Sequence, residues 1–387
     1  MIPSPLPGNA LTLLENGEQY FPALRAAIDG AEREIFLQTY IFEPDETGRS
    51  VADALERAAA RGVEVRVMVD GFGGRSFVAQ LMPRMIERGV QVLIYRRELR
   101  PLSLRRHRLR RLHRKVVVID GREAFVGGIN IIDDYEHGAA VPHPRFDYAV
   151  QVRGPVLEQI VASVHRLWRL VVWASFRRRQ HAPLIAPAQT AVVGDIRAAF
   201  VVRDNLRFRH AIEDAYLSAI GRARHEIVIA NAYFFPGRRF RQALTDAAAR
   251  GVRITLLLQG VADHPMQRYA TRALYSYFLA RGIRLFEYHR SHLHAKVAVV
   301  DGYWTTVGSS NIDAFSLLLA REANVVIEDS AFARQLRDSL ERAICSGATE
   351  LRPADWQRLS LLQRALNWVS YQLVRLAIGL AGYGGKH

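Results

Sequence analysis

Short runs rich in Val, Ile, Leu and Phe alternate along this chain with longer stretches whose apolar residues recur every three or four positions. The first pattern suits buried strands, whose side chains alternate between faces, and the second suits amphipathic helices. Read in order, the pattern predicts a strand over Ala10 to Leu14, a helix over Gln19 to Asp29 and a strand over Glu34 to Phe42 that stops before Pro44. An Ala-rich helix over Arg49 to Arg61 follows, ended by Gly62, then a strand over Val63 to Val69. A helix over Phe77 to Arg88 ends at Gly89, and a strand occupies Val90 to Tyr95. Alternation of this kind predicts an α/β fold.

The order then repeats. Glu226 to Phe235 echoes the strand at Glu34, Ala247 to Val252 echoes Ala58 to Val63, and Arg281 to Tyr288 echoes Arg88 to Tyr95. The repeat is a duplication of a whole unit rather than a solenoid period. It predicts halves over 1–180 and 196–350, a Pro-containing linker over 181–195 and a tail over 351–387. Two such units packed face to face bring equivalent segments to one cleft at the seam.

One segment repeats with particular fidelity. His113, Lys115, Asp120 and Asn130 recur with identical spacing as His294, Lys296, Asp301 and Asn311, and each Lys opens a Val-rich run that reads as a buried strand. Strand alternation puts each His on the same face as its Lys and each Asp on the other. Asp120 and Asp301 are therefore expected to brace the Gly turn that follows them. Only three of the 53 basic residues are lysine, Lys115, Lys296 and Lys386. A chain that otherwise uses Arg has placed the compact ammonium in both motifs, where a broad guanidinium fork could not substitute for it.

Composition narrows the chemistry. The 387 residues are 49% apolar and 24% charged, values of a globular chain, and a net charge of +15 calls for a polyanionic partner, nucleic acid or an anionic membrane surface. Cys345 is the sole cysteine, which excludes a disulfide framework or a cysteine metal cluster and suits a reducing compartment. No leader is expected at the amino terminus, and no apolar run approaches the roughly 20 residues of a membrane span. No cluster of carboxylates stands at ligand spacing, so neither a metal nor another cofactor is expected.

Paired histidines suit phosphoryl transfer through a covalent step. One neutral imidazole attacks phosphorus and a protonated partner gives its proton to the leaving oxygen. Lys115 and Lys296, with the Asn130 and Asn311 amides and the Ser309 hydroxyl, are candidates to hold the non-bridging oxygens. A nucleophilic His needs an acceptor on its far nitrogen, and one carboxylate lies downstream of each motif, Asp147 and Glu322.

At these residues the sequence resembles the phospholipase D superfamily. Leu112-His-Arg-Lys-Val-Val-Val-Ile-Asp120, Gly127-Gly-Ile-Asn130, Val202-Arg-Asp-Asn205, Ile229-Ala-Asn-Ala-Tyr-Phe-Phe-Pro236 and Val307-Gly-Ser-Ser-Asn-Ile-Asp313 are similar to its bacterial cardiolipin synthase branch, B type. The resemblance implies two tandem phospholipase D-like α/β domains related by a pseudo-twofold axis, with the active site at their seam. It implies transfer of a phosphatidyl group, from phosphatidylglycerol or phosphatidylethanolamine, onto a phosphatidylglycerol hydroxyl at the cytoplasmic face of a bacterial membrane. It makes His113 the nucleophile and His294 the general acid and base, with Lys115, Asp120, Lys296 and Asp301 completing the motifs and Asp147 and Glu322 orienting the histidines. Gly128 departs from the pattern, because the second motif has Ser309 there.

Three features bear on the partner. Residues 96–112 interleave Arg and Leu, which fits a solvated basic loop or a segment resting on anionic headgroups. Trp168 and Trp173, beside an Arg cluster, fit a core or a membrane interface. The tail over Trp356 to Ile378 has helical apolar spacing and fits either a packing helix or a membrane-lying one. His137 and His143 lie on the loop between Asn130 and Asp147. Two other functions share these residues: a phospholipase D hydrolase with water as acceptor, or a nuclease of the same superfamily. Nucleic acid is disfavoured, since the basic residues are interleaved with Leu and not with aromatics for base stacking. A non-enzymatic basic protein with a relic site is disfavoured because both motifs keep their polar residues. No obligatory protein partner is evident.

Overall fold

The computed structural model describes residues 3–96, 111–135, 143–175, 187–204, 208–261, 265–313, 320–354 and 360–378. Most of the basic insert, His137 and the start of the linker lie outside these residues. In the first half the order is β1 (Leu6–Glu15), α1 (Asn16–Asp29), β2 (Glu34–Thr39), α2 (Glu46–Ala60), β3 (Glu64–Asp70), α3 (Arg75–Gln80), α4 (Met82–Glu87), β4 (Gln91–Tyr95), β5 (Lys115–Ile119), β6 (Glu123–Gly127), β7 (Tyr148–Arg153) and α5 (Leu157–Ala174). The second half runs β8 (Ile196–Arg203), α6 (Ala211–Arg222), β9 (Glu226–Asn231), β10 (Phe234–Phe235), α7 (Arg238–Ala249), β11 (Arg253–Gln259), α8 (Pro265–Arg272), α9 (Tyr275–Leu279), β12 (Arg284–Tyr288), β13 (Lys296–Val300), β14 (Trp304–Gly308), β15 (Ile312–Asp313), β16 (Glu322–Glu328), α10 (Ser330–Gly347) and β17 (Ala348–Leu351). The tail helix is α11 (Leu361–Ile378).

The fold is α/β, as the alternation predicts, with differences that have local causes. The helix expected over 77–88 is two short helices meeting at Leu81, because Pro83 has no N–H to continue the ladder. The strand at Glu34 stops at Thr39, where the Thr39 hydroxyl donates to the Ile41 carbonyl and turns the chain.

The strand order β4-β3-β2-β5-β6-β7-β1 of the first half is matched by β12-β11-β9-β13-β14-β16-β8 in the second. Strands β2, β3 and β4 are parallel, as are β9, β11 and β12, whereas β5 and β13 run antiparallel to their neighbours. The motif strands therefore begin at the end of the sheet where the parallel strands finish. Strand β1 pairs antiparallel with β8, so among the described residues the two half-sheets form one sheet of 15 strands, with β17 on its edge. A central core draws on both halves, with Phe36, Val150 and Trp168 packed in the same cluster as Leu257, Val297 and Leu336. Separate outer cores bury the remaining helices of each half. Shared backbone pairing and shared core leave the halves no freedom to slide, which fixes whatever stands at the seam.

Candidate active site

Each His sits two residues before its motif strand, on backbone held by the opposite half. The His113 N–H donates to the Arg321 carbonyl at 3.0 Å and the His294 N–H to the Phe146 carbonyl at 2.8 Å. Leu112 bridges in parallel to Arg321, and Phe146 to Leu293. The seam is thus built twice, once from each half.

The side chains cross it as well. His113 Nδ1 lies 3.0 and 3.1 Å from the two Glu322 carboxylate oxygens, and His294 Nδ1 lies 2.6 Å from Asp147 Oδ2. Each imidazole is paired with the carboxylate of the other half. Within one half the carboxylate's strand is two strands away from the motif strand, about 10 Å at ordinary strand spacing, which is too far for contact. With Nδ1 held, Nε2 of each ring is the nitrogen left for a ligand. The imidazoles retain 18% and 17% of their side-chain exposure, while Glu322 and Asp147 are buried.

Both motif lysines are buried beneath the histidines. Lys115 Nζ donates to the His113 carbonyl at 2.7 Å, Lys296 Nζ donates to the His294 carbonyl, and Lys296 Nζ is 3.5 Å from Asp147 Oδ2. Burial pushes the Lys115 ammonium down to about 7 and the Lys296 ammonium down to about 8, with Glu322 and Asp147 acting in the opposite direction. Burial, followed by the Lys296 and other nearby cations, pushes His294 well below the ordinary imidazole range, so His294 is neutral in the free site. Burial raises Asp147, against the pull of Lys296. The neighbouring Arg114 points to the other face, donating to Gln38 Oε1 at 2.7 Å and Ser163 Oγ at 2.8 Å. Strand alternation thus separates the site from the central core.

Several residues do not stand as the sequence implied. Ser309 Oγ donates to Glu322 Oε2 at 2.5 Å and accepts the Ala323 N–H, so its hydroxyl braces the carboxylate instead of facing a phosphate. Gly128 has the same place in the first half, and there a Cβ would meet Asp147 Oδ1 at 2.3 Å. The missing hydroxyl is a steric requirement, because the shorter Asp147 fills that space itself. Asn130 Oδ1 accepts the Ile41 N–H at 3.2 Å, whereas Asn311 Oδ1 is buried without a hydrogen bond. The amides therefore differ in what they offer a ligand.

Asp120 and Asp301, taken with the catalytic motif, lie at the far end of β5 and β13, about 16 Å of strand from Lys115 and Lys296 and farther still from the histidines. Asp120 accepts N–H groups from Glu32, Arg33 and Glu34 at 2.8 to 3.0 Å, and Asp301 does the same with Arg224, His225 and Glu226 at 2.8 to 2.9 Å. Each also opens an Asp-Gly hairpin turn in the left-handed region, with φ of 51° at Asp120 and Asp301 and 63° and 60° at the following glycines. They form the Gly turn and fix the start of the neighbouring strand. They touch neither imidazole, so their role is structural.

Sequence reading missed the groups that hold the loops before the histidines. Asp70, at the end of β3, accepts the Leu112 N–H at 2.8 Å and the Phe72 N–H at 2.8 Å. Gln259, at the equivalent end of β11, accepts the Leu293 N–H at 2.9 Å and approaches His292 Nδ1 at 3.3 Å. Superposing the repeats aligns Asp70 with Gln259, a signal available in the sequence. Tyr40 lies beside His113 at 4.9 Å between rings, and Asn231 is fully buried with its Nδ2 unpaired.

Two imidazoles, each paired with a buried carboxylate of the opposite half and each with its backbone carbonyl held by a buried lysine, thus stand at one seam. A family model described as cardiolipin synthase, PLD-like domain, matches residues 24–138 and 216–344. The chain belongs to this phospholipase D-like cardiolipin synthase family. It is 42% identical over 354 residues to cardiolipin synthase B of Escherichia coli (strain K12), covering 89% of this chain and 82% of that protein. It is 32% identical to cardiolipin synthase A of Pseudomonas syringae pv. syringae (strain B728a), covering 87% of this chain and 68% of that one. Among solved structures, phosphatidylserine synthase of Haemophilus influenzae Rd KW20 superposes with a TM-score of 0.72 over 96% of this chain and 94% of its own, at 12% identity, a likeness of fold.

Proposed function

We propose that this chain is a cardiolipin synthase that moves a phosphatidyl group from one phospholipid to a hydroxyl of phosphatidylglycerol. The observation that carries the reading is the crossed pair of imidazole–carboxylate contacts over two buried lysines, in a chain 42% identical to a cardiolipin synthase B. In the first step His113 Nε2 attacks phosphorus, a P–N bond forms, and the bond to the leaving headgroup oxygen breaks. His294 supplies the proton that this oxygen needs. His294 is neutral in the free site, and the incoming phosphodiester anion is the opposite charge that favours its imidazolium. In the second step neutral His294 takes the proton from the acceptor hydroxyl, whose oxygen attacks phosphorus as the P–N bond breaks. Glu322 and Asp147 hold the two rings and stabilise whichever becomes charged. Lys115 and Lys296 are placed to neutralise the non-bridging oxygens.

The proposed steps route nothing through a metal ion. The chain works as a peripheral protein on the cytoplasmic membrane face, where its lipid substrates lie. Among the described residues no helix is long and apolar enough to cross a membrane.

The test is product analysis from vesicles of labelled phosphatidylglycerol, with and without phosphatidylethanolamine, in the presence of EDTA. Cardiolipin with released glycerol or ethanolamine, absent with His113→Ala, supports the transferase and identifies the donor. Phosphatidic acid alone makes water the acceptor and the protein a phospholipase. No lipid product overturns the reading and directs the same assay to nucleic acid.

A further inference from the structure

Helix α11 is turned inside out by the standards of a soluble protein. Its buried positions are Asn367, Ser370 and Val374, the first two at 6% exposure, whereas Leu362 is 78% exposed, Trp368 61% and Leu376 58%. Leu366, Val369 and Leu373 are exposed too, and positions 362, 366, 369, 373 and 376 recur at helical spacing along one stripe. A helix with the choice would bury that stripe, since each large apolar side chain gains by leaving water. Here the helix packs along α8 through its smaller and more polar side, and the Tyr371 ring packs at a tilt against Phe235, 5.3 Å between ring centroids. The Leu stripe is left facing outward.

The position of the helix identifies what covers the stripe. Phe235 belongs to β10, which pairs with β15, and Asp313 of β15 is two residues from Asn311 of the site. Both short strands lie beyond the end of the sheet that holds the histidines, so α11 flanks the mouth of the cleft. On the first half Phe72, two residues beyond Asp70, is 45% exposed with the Arg75 and Arg111 guanidiniums over its ring at 4.5 and 4.8 Å. Within α11 the only charged side chains are Arg364 and Arg375, both exposed, and Arg375 lies over the Tyr371 ring at 5.7 Å. The Leu stripe is flanked on one side by exposed Trp368, Arg364 and Arg375, and a helix face of apolar residues, cations and no acidic residue matches an anionic interface and not an acidic or neutral protein surface.

We propose that the outward face of α11 is a docking surface for an anionic lipid bilayer, into which Leu366, Trp368, Val369 and Leu373 insert at headgroup depth. The inference rests on the reading that the substrates are bilayer lipids, and it adds the device that presents the cleft to them. A site whose histidines sit at the sheet end needs that end held flat to the membrane. The α11 stripe on one half and the Arg-flanked Phe72 on the other supply two points of contact across the mouth.

The experiment uses the whole chain and sedimentation with sucrose-loaded vesicles, which reads binding without catalysis. Vesicles are equal parts phosphatidylglycerol and phosphatidylcholine, or phosphatidylcholine alone. The triple variant Leu366→Gln, Trp368→Gln, Leu373→Gln keeps helix-forming residues and should lose at least tenfold in partition to the anionic vesicles. Wild-type binding should weaken on neutral vesicles and at high salt. Brominated phosphatidylglycerol should quench wild-type fluorescence, and Trp368→Phe, which leaves the apolar stripe in place, should remove part of that quenching while binding persists. Unchanged partition of the triple variant overturns the proposal, as does quenching that Trp368→Phe leaves intact. So does a wild type that ignores vesicles but forms dimers that the triple variant dissociates, which makes the stripe a protein interface. If the triple variant melts early, the Trp368→Phe comparison decides alone. Vesicle binding through α11 without any lipid product would sink the transferase reading and leave the docking surface standing.

Discussion

Asp147→Asn separates the two chemical steps if the crossed pairs act as proposed. Asp147 Oδ2 holds His294 Nδ1 at 2.6 Å, and the exchange of carboxylate for amide removes a charge-assisted hydrogen bond of about 1.5–3 kcal/mol, roughly 10- to 150-fold in rate. An amide that donates to Nδ1 also enforces the wrong tautomer, which in a catalytic triad raises the loss to about 10⁴-fold. The second half's histidine should carry all of this loss, although Asp147 belongs to the first. The assay is rapid mixing with a phosphatidyl ester of a nitrophenol, whose leaving group departs without a proton. Asp147→Asn should then show a burst of nitrophenolate near the wild-type rate and afterwards stall, with an acid-labile phosphoenzyme accumulating, because His294 no longer takes the proton from the acceptor. Glu322→Gln acts on His113 and should lose the burst. Identical behaviour of the two variants, or a phosphoenzyme only in Glu322→Gln, would refute the assignment of steps.

Gly128→Ser, which restores the hydroxyl of the second motif, should reduce activity at least tenfold, since its Cβ would meet Asp147 Oδ1 at 2.3 Å and displace the partner of His294; turnover at wild-type level would show that Asp147 tolerates displacement. In the free site the lysine charge is lost as pH rises through about 7 at Lys115 and about 8 at Lys296, so kcat/KM for anionic lipid should fall above that range, and Lys296→Met should flatten the upper part of the limb in a pH profile. Burial opposes ionisation of Asp301, but the backbone N–H groups of Glu226, Arg224 and His225 outweigh it and hold the carboxyl below its usual range. That contribution to stability is present above the unfolded-state value and disappears as pH falls through the lower folded value. Asp301→Asn should therefore lower Tm at neutral pH, by about 1–2 kcal/mol in stability after allowance for exposure, and the gap from wild type should close in strong acid. EDTA should leave cardiolipin formation unchanged in the vesicle assay, and inhibition restored by a divalent cation would overturn the histidine mechanism.

What the sequence determined is what depends on neighbours along the chain. Alternation of strand and helix, the duplication, the buried Val-rich strands after Lys115 and Lys296, and the shared face of each His and Lys all follow from local periodicity, which 15 hydrogen-bonded strands and their covering helices respect. The spacing of His, Lys, Asp and Asn in two copies singled out both histidines and both lysines, while the need for an acceptor on each ring and the family resemblance singled out Asp147 and Glu322, which lie beside the imidazoles. What only the tertiary structure decided is which groups meet. Pairing of β1 with β8 joins the half-sheets, and the crossing of the seam gives Glu322 to His113 and Asp147 to His294, because in-half partners stand two strands apart. Asp120 and Asp301 fall out of the site for the same reason, since five residues of strand carry them to the opposite end of the sheet. Ser309 turns to Glu322, and Gly128 stays bare, through atomic contacts between residues far apart in sequence. The tail shows the division most plainly: its apolar period is visible in the sequence, but periodicity is the same for a stripe that faces a core and a stripe that faces outward. Only the packing of Asn367 and Ser370 inward reveals which one this is.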